Sequence, residues 1–309
     1  MKAVLIRKFG GAEVLEFAEV AEPMPAPTEV VVEVHAASLN PVDYKMRDGL
    51  VAQYGEFKMP RILGRDFSGV IAAVGAGVSE FRPGDAVFGI ADRLKDGTHA
   101  ESHVIDVSLI AKKPRAISHI AAAGLGVAAA SALAAVETTA PVKAGDRVLI
   151  HAGAGGVGHF AIQYARKKGA HVIATARAEN HDFVKQNGAH EAVDYTATDF
   201  ATAVKDCDIV FDTLGGEAHR RSMACVKPGG TLVWLNAAPL PPGTARSDIE
   251  VLNAPVRGGR AVVERVGQLA AEGVLKPHVS ATFPLDRAAE AYALVETGRT
   301  RGKIVLTVR

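Results

Sequence analysis

The sequence predicts an α/β protein of two domains, a strand-rich amino-terminal domain followed by a doubly wound parallel sheet, and three observations carry the prediction. The first is length, since 309 residues amount to about two domains at roughly 150 residues each. The second is a change of pattern near residue 118, from β-branched runs broken by turns to a regular alternation of strand and helix. The third is a glycine-rich turn, Gly153-Ala154-Gly155-Gly156-Val157-Gly158, set where a strand feeds a helix.

Within residues 1–118, Val30 to Val34 and Gly69 to Gly75 read as strands, and Phe81 to Gly89 reads as a turn entering a strand. Pro23, Pro25 and Pro27 exclude a regular helix between them. Ile117 to Val136 contains no Lys, Arg, Asp or Glu and reaches bilayer-spanning length. Nine of its twenty residues are Ala and two are Gly, so its transfer into lipid is weak, and the reading is a buried helix packed closely against backbone. Strands are then predicted at Arg147–Ala152, His171–Ala176, Glu191–Tyr195, Asp208–Asp212 and Thr231–Leu235, with helices at Val157–Lys168, Asn180–Asn187 and Glu217–Val226. Such alternation implies right-handed βαβ units and a parallel sheet covered on both faces. A loop with Pro239, Pro241 and Pro242 leads to a strand near Ile249–Val256 and a helix at Arg260–Ala271. His278–Pro284 and Lys303–Val308 read as extended, with a helix at Leu285–Glu296 between them. The strand-rich end predicts that residues 275–309 return to complete the domain formed by 1–118, leaving 119–274 as the parallel-sheet domain.

Composition excludes several classes. At 48% hydrophobic and 22% charged, the chain is neither collagen-like nor disordered. Thirty-five Lys and Arg against thirty-four Asp and Glu leave a charge of +1, too little field for nucleic acid or an anionic membrane. Cys207 and Cys225 form no CxxC pair, so neither a disulfide framework nor a thiolate zinc site is expected, and the chain reads as cytoplasmic. The apolar run after Met1 and Lys2 stops after four residues, too short for a signal peptide.

The turn satisfies GxGxxG through Gly153, Gly155 and Gly158, and with Gly156 and Val157 it makes the expected binding site for a dinucleotide pyrophosphate. Glycine allows a tight turn, close approach of backbone amides to the anion, and helix packing near the strand, while the helix amino terminus adds partial positive charge. An NAD-binding chain places Asp or Glu about 20 residues further on; here the strand ends Thr175-Ala176-Arg177. A guanidinium at that position suits a 2′-phosphate, which favours NADPH, whereas Glu179 would serve a ribose hydroxyl if Arg177 were only a surface residue. Tyr195 either meets the adenine or phosphate or is an ordinary core-edge residue. Leu214, Gly215, Leu235 and Asn236 fall at carboxyl ends of strands, where such ligands bind, or are simple turns.

Ser38-Leu39-Asn40-Pro41-Val42-Asp43-Tyr44-Lys45, Leu63 to Val70, Gly153 to Gly158, Phe211 to Gly216 and Gly302 to Leu306 together resemble the medium-chain dehydrogenase/reductase superfamily over essentially the whole chain. Within it they resemble the zinc-free quinone oxidoreductase (zeta-crystallin-like) and enone reductase branch. The resemblance implies a GroES-like β-barrel domain and a Rossmann doubly wound domain, with the carboxyl-terminal tail returning to the barrel. Zinc-dependent members place Cys where this chain has Asn40 and His-Glu where it has Arg65-Asp66, and the four-cysteine lobe expected after Gly89 is absent. No zinc is therefore expected. His99 and His103 are spaced like a ligand pair but lie in a strand-like segment, so structural roles are expected.

The implied reaction is hydride transfer from NADPH to a quinone or an α,β-unsaturated carbonyl compound, without a Lewis acid. The resemblance gives Lys45 a contact with the cofactor ribose or the substrate oxygen, and places Asn40 and Ser131 beside the nicotinamide. Asp43 would hold its loop in shape, and Arg299 falls where related reductases touch the cofactor. Related enone reductases carry a Lys near Asn180, so its absence leaves the 2′-phosphate to Arg177. No general acid is visible, and solvent is expected to supply the proton. Other readings of the same chain are a zinc-free carbonyl reductase and a non-catalytic NADPH-binding protein. A homodimer is expected from the resemblance, and the acceptor pocket from loops such as 47–59.

Overall fold

The computed structural model describes all residues except 51–54, 56, 236–245 and 257. The chain forms two compact units, Met1–Val127 with Gly258–Arg309, and Ala128–Arg257. This division differs from the sequence expectation at two places, because residues 119–127 and 258–274 group with the first unit.

The first unit begins with β1 (Lys2–Ile6) and β2 (Glu16–Glu19), which pair antiparallel, and continues with β3 (Glu29–Ser38) and the short helix α1 (Pro41–Arg47). β4 (Arg61–Ile62) closes a three-stranded sheet against β1. β5 (Asp66–Val74), β6 (Ala86–Ile90), β7 (Ser102–Asp106) and β8 (Ile110–Lys112) build the larger sheet around β3. The β-branched run predicted at Val30–Val34 lies in the amino-terminal part of β3. Val30, Val32 and Val34 bury against Phe67, Ile71, Val87, Ile105 and Ile110, and each such side chain removed from water contributes about 1.5–3 kcal/mol.

The Ala-rich segment does not form one helix. It starts as α2 (His119–Ala123), whose Ser118 hydroxyl accepts from Ala121 N at 3.1 Å, breaks at Gly124-Leu125, and resumes as α3 (Gly126–Leu133) before widening into π-type turns over Ala134–Thr139. The cause of the break is a buried carboxylate. Val127 N donates to Asp66 Oδ1 at 2.8 Å, and a Cβ on Gly126 would stand 2.2 Å from the same oxygen, so the chain opens to bring a helix amino terminus onto Asp66.

In the second unit, β9 (Arg147–Ile150), α4 (Gly156–Lys167), β10 (His171–Ala176), α5 (His181–Gln186), β11 (Glu191–Asp194), α6 (Phe200–Ala203), β12 (Cys207–Asp212), α7 (Gly216–Ser222), β13 (Val226–Trp234) and β14 (Glu250–Asn253) follow one another, and all but the one-turn α6 answer to elements that the sequence predicts. The six strands are all parallel in the order β11-β10-β9-β12-β13-β14. Strand order therefore reverses between β9 and β12, the place in a doubly wound sheet where ligands meet the carboxyl ends. β9 stops two residues earlier than expected because Ala152 takes a positive φ of 49° to enter the turn. α7 ends four residues early, passing through one tight turn at Met223–Cys225 into β13, which begins five residues earlier than expected. The Pro-rich loop with Pro239, Pro241 and Pro242 lies outside the described residues. Cys207 and Cys225 are free and buried, which pushes their thiols up to about 12 and about 11 and leaves them unreactive.

The chain then returns to the first unit through α8 (Arg260–Ala271), β15 (Val279–Pro284), α9 (Ala288–Glu296) and β16 (Lys303–Thr307). α8 joins this unit because it lies on β8 and β6, where Gly267 brings the helix so close that its Cβ would stand 3.2 Å from the Phe88 ring. β16 pairs with the end of β3, Val305 opposite Ser38 and Thr307 opposite Ala36, while β7 takes the first half of the same edge. Tyr292 of α9 and Leu306 of β16 bury against Val4, Ile6, Leu39 and Leu63. Among the described residues no helix is long and apolar enough to cross a membrane.

Burial also holds His99, His103 and His151 neutral, each pushed down to about 4. A folded-state value below that of the unfolded chain means stability is full above about pH 6.5 and falls as the pH drops toward 4. His103 packs edge-on against Phe67 and its Nε2 has no partner among the described residues. Urea midpoints should thus fall between pH 7 and pH 5, and His103→Gln should reduce that fall by about 1–2 kcal/mol. Equal falls in both proteins would show that His103 does not contribute.

Candidate functional site

In the second unit the glycine turn is stapled to the end of β10. Gly153 N donates to Thr175 O at 2.9 Å and Ala152 N to Thr175 Oγ1 at 3.2 Å. The same hydroxyl lies 3.1 Å from His151 Nδ1, and His151 Nε2 lies 2.9 Å from Ser222 Oγ. Thr175 is thus engaged at both its hydroxyl and its carbonyl, and with the buried Ala176 it supports the turn from beneath. Space explains the glycines. A Cβ on Gly153 would stand 2.8 Å from Ala174 Cβ, and one on Gly158 would stand 2.2 Å from Ala152 O. Gly155 N donates to Ala152 O at 2.9 Å, and α4 follows. Among the described residues nothing accepts from the amides of Gly156, Val157 and Gly158. Three orphan donors at the amino terminus of a helix of twelve residues make an anion cradle that fits a dinucleotide pyrophosphate.

Arg177 follows β10, and its Nε donates to Tyr195 Oη at 3.1 Å, so the two candidates from adjacent strand ends form one pair. Glu179 is exposed in the next turn. At the end of β12 the buried Asp212 accepts from Leu214 N at 2.8 Å, from Gly215 N at 3.0 Å and from His219 Nδ1 at 2.9 Å. The backbone amides of Leu214 and Gly215 are therefore turned inward onto Asp212. What this loop offers outward includes the Leu214 side chain, 45% exposed. Leu235 is buried at the end of β13, Asn236 lies outside the described residues, and Ser131 is buried in α3.

In the first unit, Asn40, Asp43 and Lys45 lie at the start of α1. Asn40 and Asp43 form a reciprocal cap in which Asn40 N donates to Asp43 Oδ2 at 2.7 Å. Asp43 is fully buried, its Oδ1 has no partner among the described residues, and burial pushes its carboxyl up to about 7. Lys45 is half-buried, which lowers its ammonium from the ordinary value. Asn40 Nδ2 donates to Asp66 Oδ2 at 2.9 Å, and Ser38 Oγ donates to the same oxygen at 2.9 Å. Lys303 Nζ, from β16, donates to Asn40 Oδ1 at 2.6 Å and to Leu39 O at 2.8 Å, and lies 3.6 Å from Asp66 Oδ2. Arg65 Nε donates to Ala91 O at 3.0 Å. Arg299 is exposed in the turn before β16.

These side chains do not fit zinc. Where zinc-dependent proteins of the resembled family carry Cys and His-Glu, this chain offers an amide, a guanidinium, and a carboxylate already paired with an ammonium. Among the described residues no group of three His, Cys, Asp or Glu side chains could hold a metal. His99 and His103 are buried, His99 with its Nδ1 3.2 Å from Tyr292 Oη and His103 against Phe67.

Sequence reasoning missed the parts played by Lys303, Asp66, Asp212 and His151. Three of them lie inside motifs it quoted, but nothing in their spacing pairs a strand near the carboxyl terminus with residues 40 and 66.

Residues 26–115 match the alcohol dehydrogenase GroES-like domain, and residues 187–306 match zinc-binding dehydrogenase. The chain is 32% identical, over 99% of its length and 79% of the other's, to the chloroplastic NADPH-dependent alkenal/one oxidoreductase of Arabidopsis thaliana. Among solved structures it is similar to the quinone oxidoreductase of Coxiella burnetii, with a TM-score of 0.91 and 36% identity over 100% of this chain and 99% of that one. The Escherichia coli quinone oxidoreductase complexed with NADPH gives a TM-score of 0.91 and 27% identity over 100% of both chains.

The crowding around Gly158 gives a direct test. Gly158→Ala should leave the far-ultraviolet circular dichroism unchanged and weaken nicotinamide dinucleotide binding at least tenfold, about 1.4 kcal/mol, measured by titration. Unchanged affinity would mean that the anion does not sit on this turn.

Proposed function

The chain belongs to the medium-chain dehydrogenase/reductase superfamily, in its quinone oxidoreductase and enone reductase branch, and from that premise we propose that it reduces quinones or α,β-unsaturated ketones and aldehydes with NADPH and without a metal ion. The observation that carries the reading is the anion cradle of Gly156, Val157 and Gly158, together with a guanidinium and no carboxylate directly after β10.

When bound, NADPH supplies the hydride. The protein's own residues bind, orient and stabilise. The three orphan amides take the pyrophosphate, and Arg177, its guanidinium fixed by Tyr195, takes the 2′-phosphate. Asn40, Ser131, Leu214, Gly215, Leu235, Asn236 and Arg299 complete the cofactor and acceptor contacts, with Leu214 and Gly215 acting through the face left after Asp212 takes their amides. Lys45 is the cation for negative charge developing on the acceptor oxygen, and its partial burial strengthens that attraction. The proton at the α-carbon comes from solvent. A homodimer in the cytoplasm is part of the same proposal.

The deciding experiment follows NADPH consumption by the purified protein against a panel of quinones, enones and simple ketones, with metal analysis of the same sample. Turnover with a quinone or enone and none with simple ketones is expected. Turnover confined to simple ketones would favour a carbonyl reductase, absence of all turnover with tight NADPH binding would leave a binding protein, and stoichiometric zinc required for activity would overturn the metal-free reading. Arg177→Glu should lower the ratio of kcat/KM for NADPH over NADH at least tenfold, and an unchanged ratio would remove Arg177 from cofactor choice. Lys45→Ala should lower kcat on enones about tenfold to a hundredfold, and full activity would return Lys45 to a structural part.

A further inference from the structure

Asp66 is fully buried and Lys303 is 3% exposed, so this charge pair lies out of water in the first unit. Such a pair persists only where every donor and acceptor is matched. Asp66 accepts from Ser38 Oγ, Asn40 Nδ2 and Val127 N, and the Lys303 ammonium is held by Leu39 O and Asn40 Oδ1 beside it. Between the two charges stands one neutral group, the Asn40 carboxamide. Its oxygen meets the ammonium at 2.6 Å and its nitrogen meets the carboxylate at 2.9 Å. A flip of the amide would set NH₂ against NH₃⁺ and oxygen against oxygen, so a single orientation is enforced. The backbone of Asn40 is in turn the cap of α1, the helix that carries Lys45.

We propose that Lys303 is a positioning residue for the reaction: its ammonium fixes the Asn40 carboxamide and, through it, the first turn of α1. The proposal rests on the reductase reading above. Asp66, which the resemblance aligns with the Glu of zinc-dependent members, is in this chain paired with an ammonium from the last strand. The charged and titratable groups facing Lys303 are Asp66 and Asp43, with Arg65 and His99 beyond them.

The test uses Lys303→Met, Lys303→Arg, Asn40→Ala and the Lys303→Met/Asn40→Ala double variant. Lys303→Met should bind NADPH within twofold of wild type, because the glycine turn belongs to the other unit, while kcat falls at least tenfold with little change in the acceptor KM. The acid limb of its kcat–pH profile should move to higher pH, because Asp43 loses the Lys303 ammonium that favours its ionised form. Lys303→Arg should recover part of kcat, and it carries the test if the Met variant fails to fold. If Lys303 acts through Asn40, the double variant loses no more kcat than Asn40→Ala; multiplied losses would overturn the proposal, as would a Lys303→Met kcat within twofold of wild type. A readout independent of turnover is the side-chain amide of Asn40 by NMR, slow to exchange with solvent in wild type and fast in Lys303→Met. Equal exchange in both would overturn the proposal even if the protein turned out to reduce neither quinones nor enones, whereas absence of turnover in wild type with the expected exchange change would count against the reductase reading alone.

Discussion

A carboxylate without access to water must be surrounded by donors, and the first unit is arranged around that constraint at Asp66. Its partners come from Ser38 at the end of β3, Asn40 at the cap of α1, Val127 at the start of α3 and Lys303 on β16. Each of these explains a feature that hydrophobic burial alone leaves open. The Ala-rich segment breaks so that a helix amino terminus can reach the carboxylate. The last strand crosses back to β3 in the register that puts Lys303 beside Asn40. Apolar side chains supply most of the stabilisation, as Val30, Val32, Phe67 and Ile71 do in the core beside it, but they tolerate many arrangements of similar volume. The buried pair does not, because every displaced donor leaves an unmatched charge.

The second unit follows the same logic with a different centre. Its central strands β9, β10 and β12 are largely buried, and their carboxyl ends are tied by polar side chains: Thr175 to the glycine turn, His151 to Thr175 and Ser222, Thr213 to His151 O, and Asp212 to the loop that follows it. Burial keeps His151 neutral, so within this chain of bonds it acts as one donor and one acceptor. The loops are therefore set before any ligand arrives, and preorganised amides lose little on binding. At the anion cradle, the amides of Gly156, Val157 and Gly158 have no acceptor among the described residues.

Most of this architecture was legible in the sequence because it depends on local pattern. The strand His171–Ala176 and the helix Arg260–Ala271 occupy the residues that periodicity predicts. The glycine fingerprint announces itself because each glycine answers to a neighbour within a few residues or on the adjacent strand, as Gly153 does to Ala174 and Gly158 to Ala152. Other features were not legible, and for one reason. The grouping of α8 with the first unit, the break after Ala123, the inward turn of the Leu214 and Gly215 amides and the part played by Lys303 all depend on partners that are distant in sequence or brought together only by the fold. Asn40 was singled out from a motif, but its orientation is decided by a lysine on the last strand. Spacing cannot report which of two lysines, one half-buried at position 45 and one buried at 303, is held against the Asn40 amide.

The charge carried by an ammonium also bears on which acceptors suit the site. A divalent zinc ion binds a carbonyl oxygen directly and polarises it as a Lewis acid, whereas an ammonium offers one unit of charge through donors that point in fixed directions. At Lys303 those donors are already taken by Leu39 O and Asn40 Oδ1, so this cation can orient neighbours but has little left to give a substrate. On the proposed reading, an acceptor reduced without a metal ion must bring its own electrophilicity, with Lys45 stabilising charge as it appears. Conjugated enones and quinones meet that requirement because the incoming electron pair is spread onto oxygen without prior activation. A simple ketone does not, which is why the proposed reading confines the reaction to conjugated acceptors.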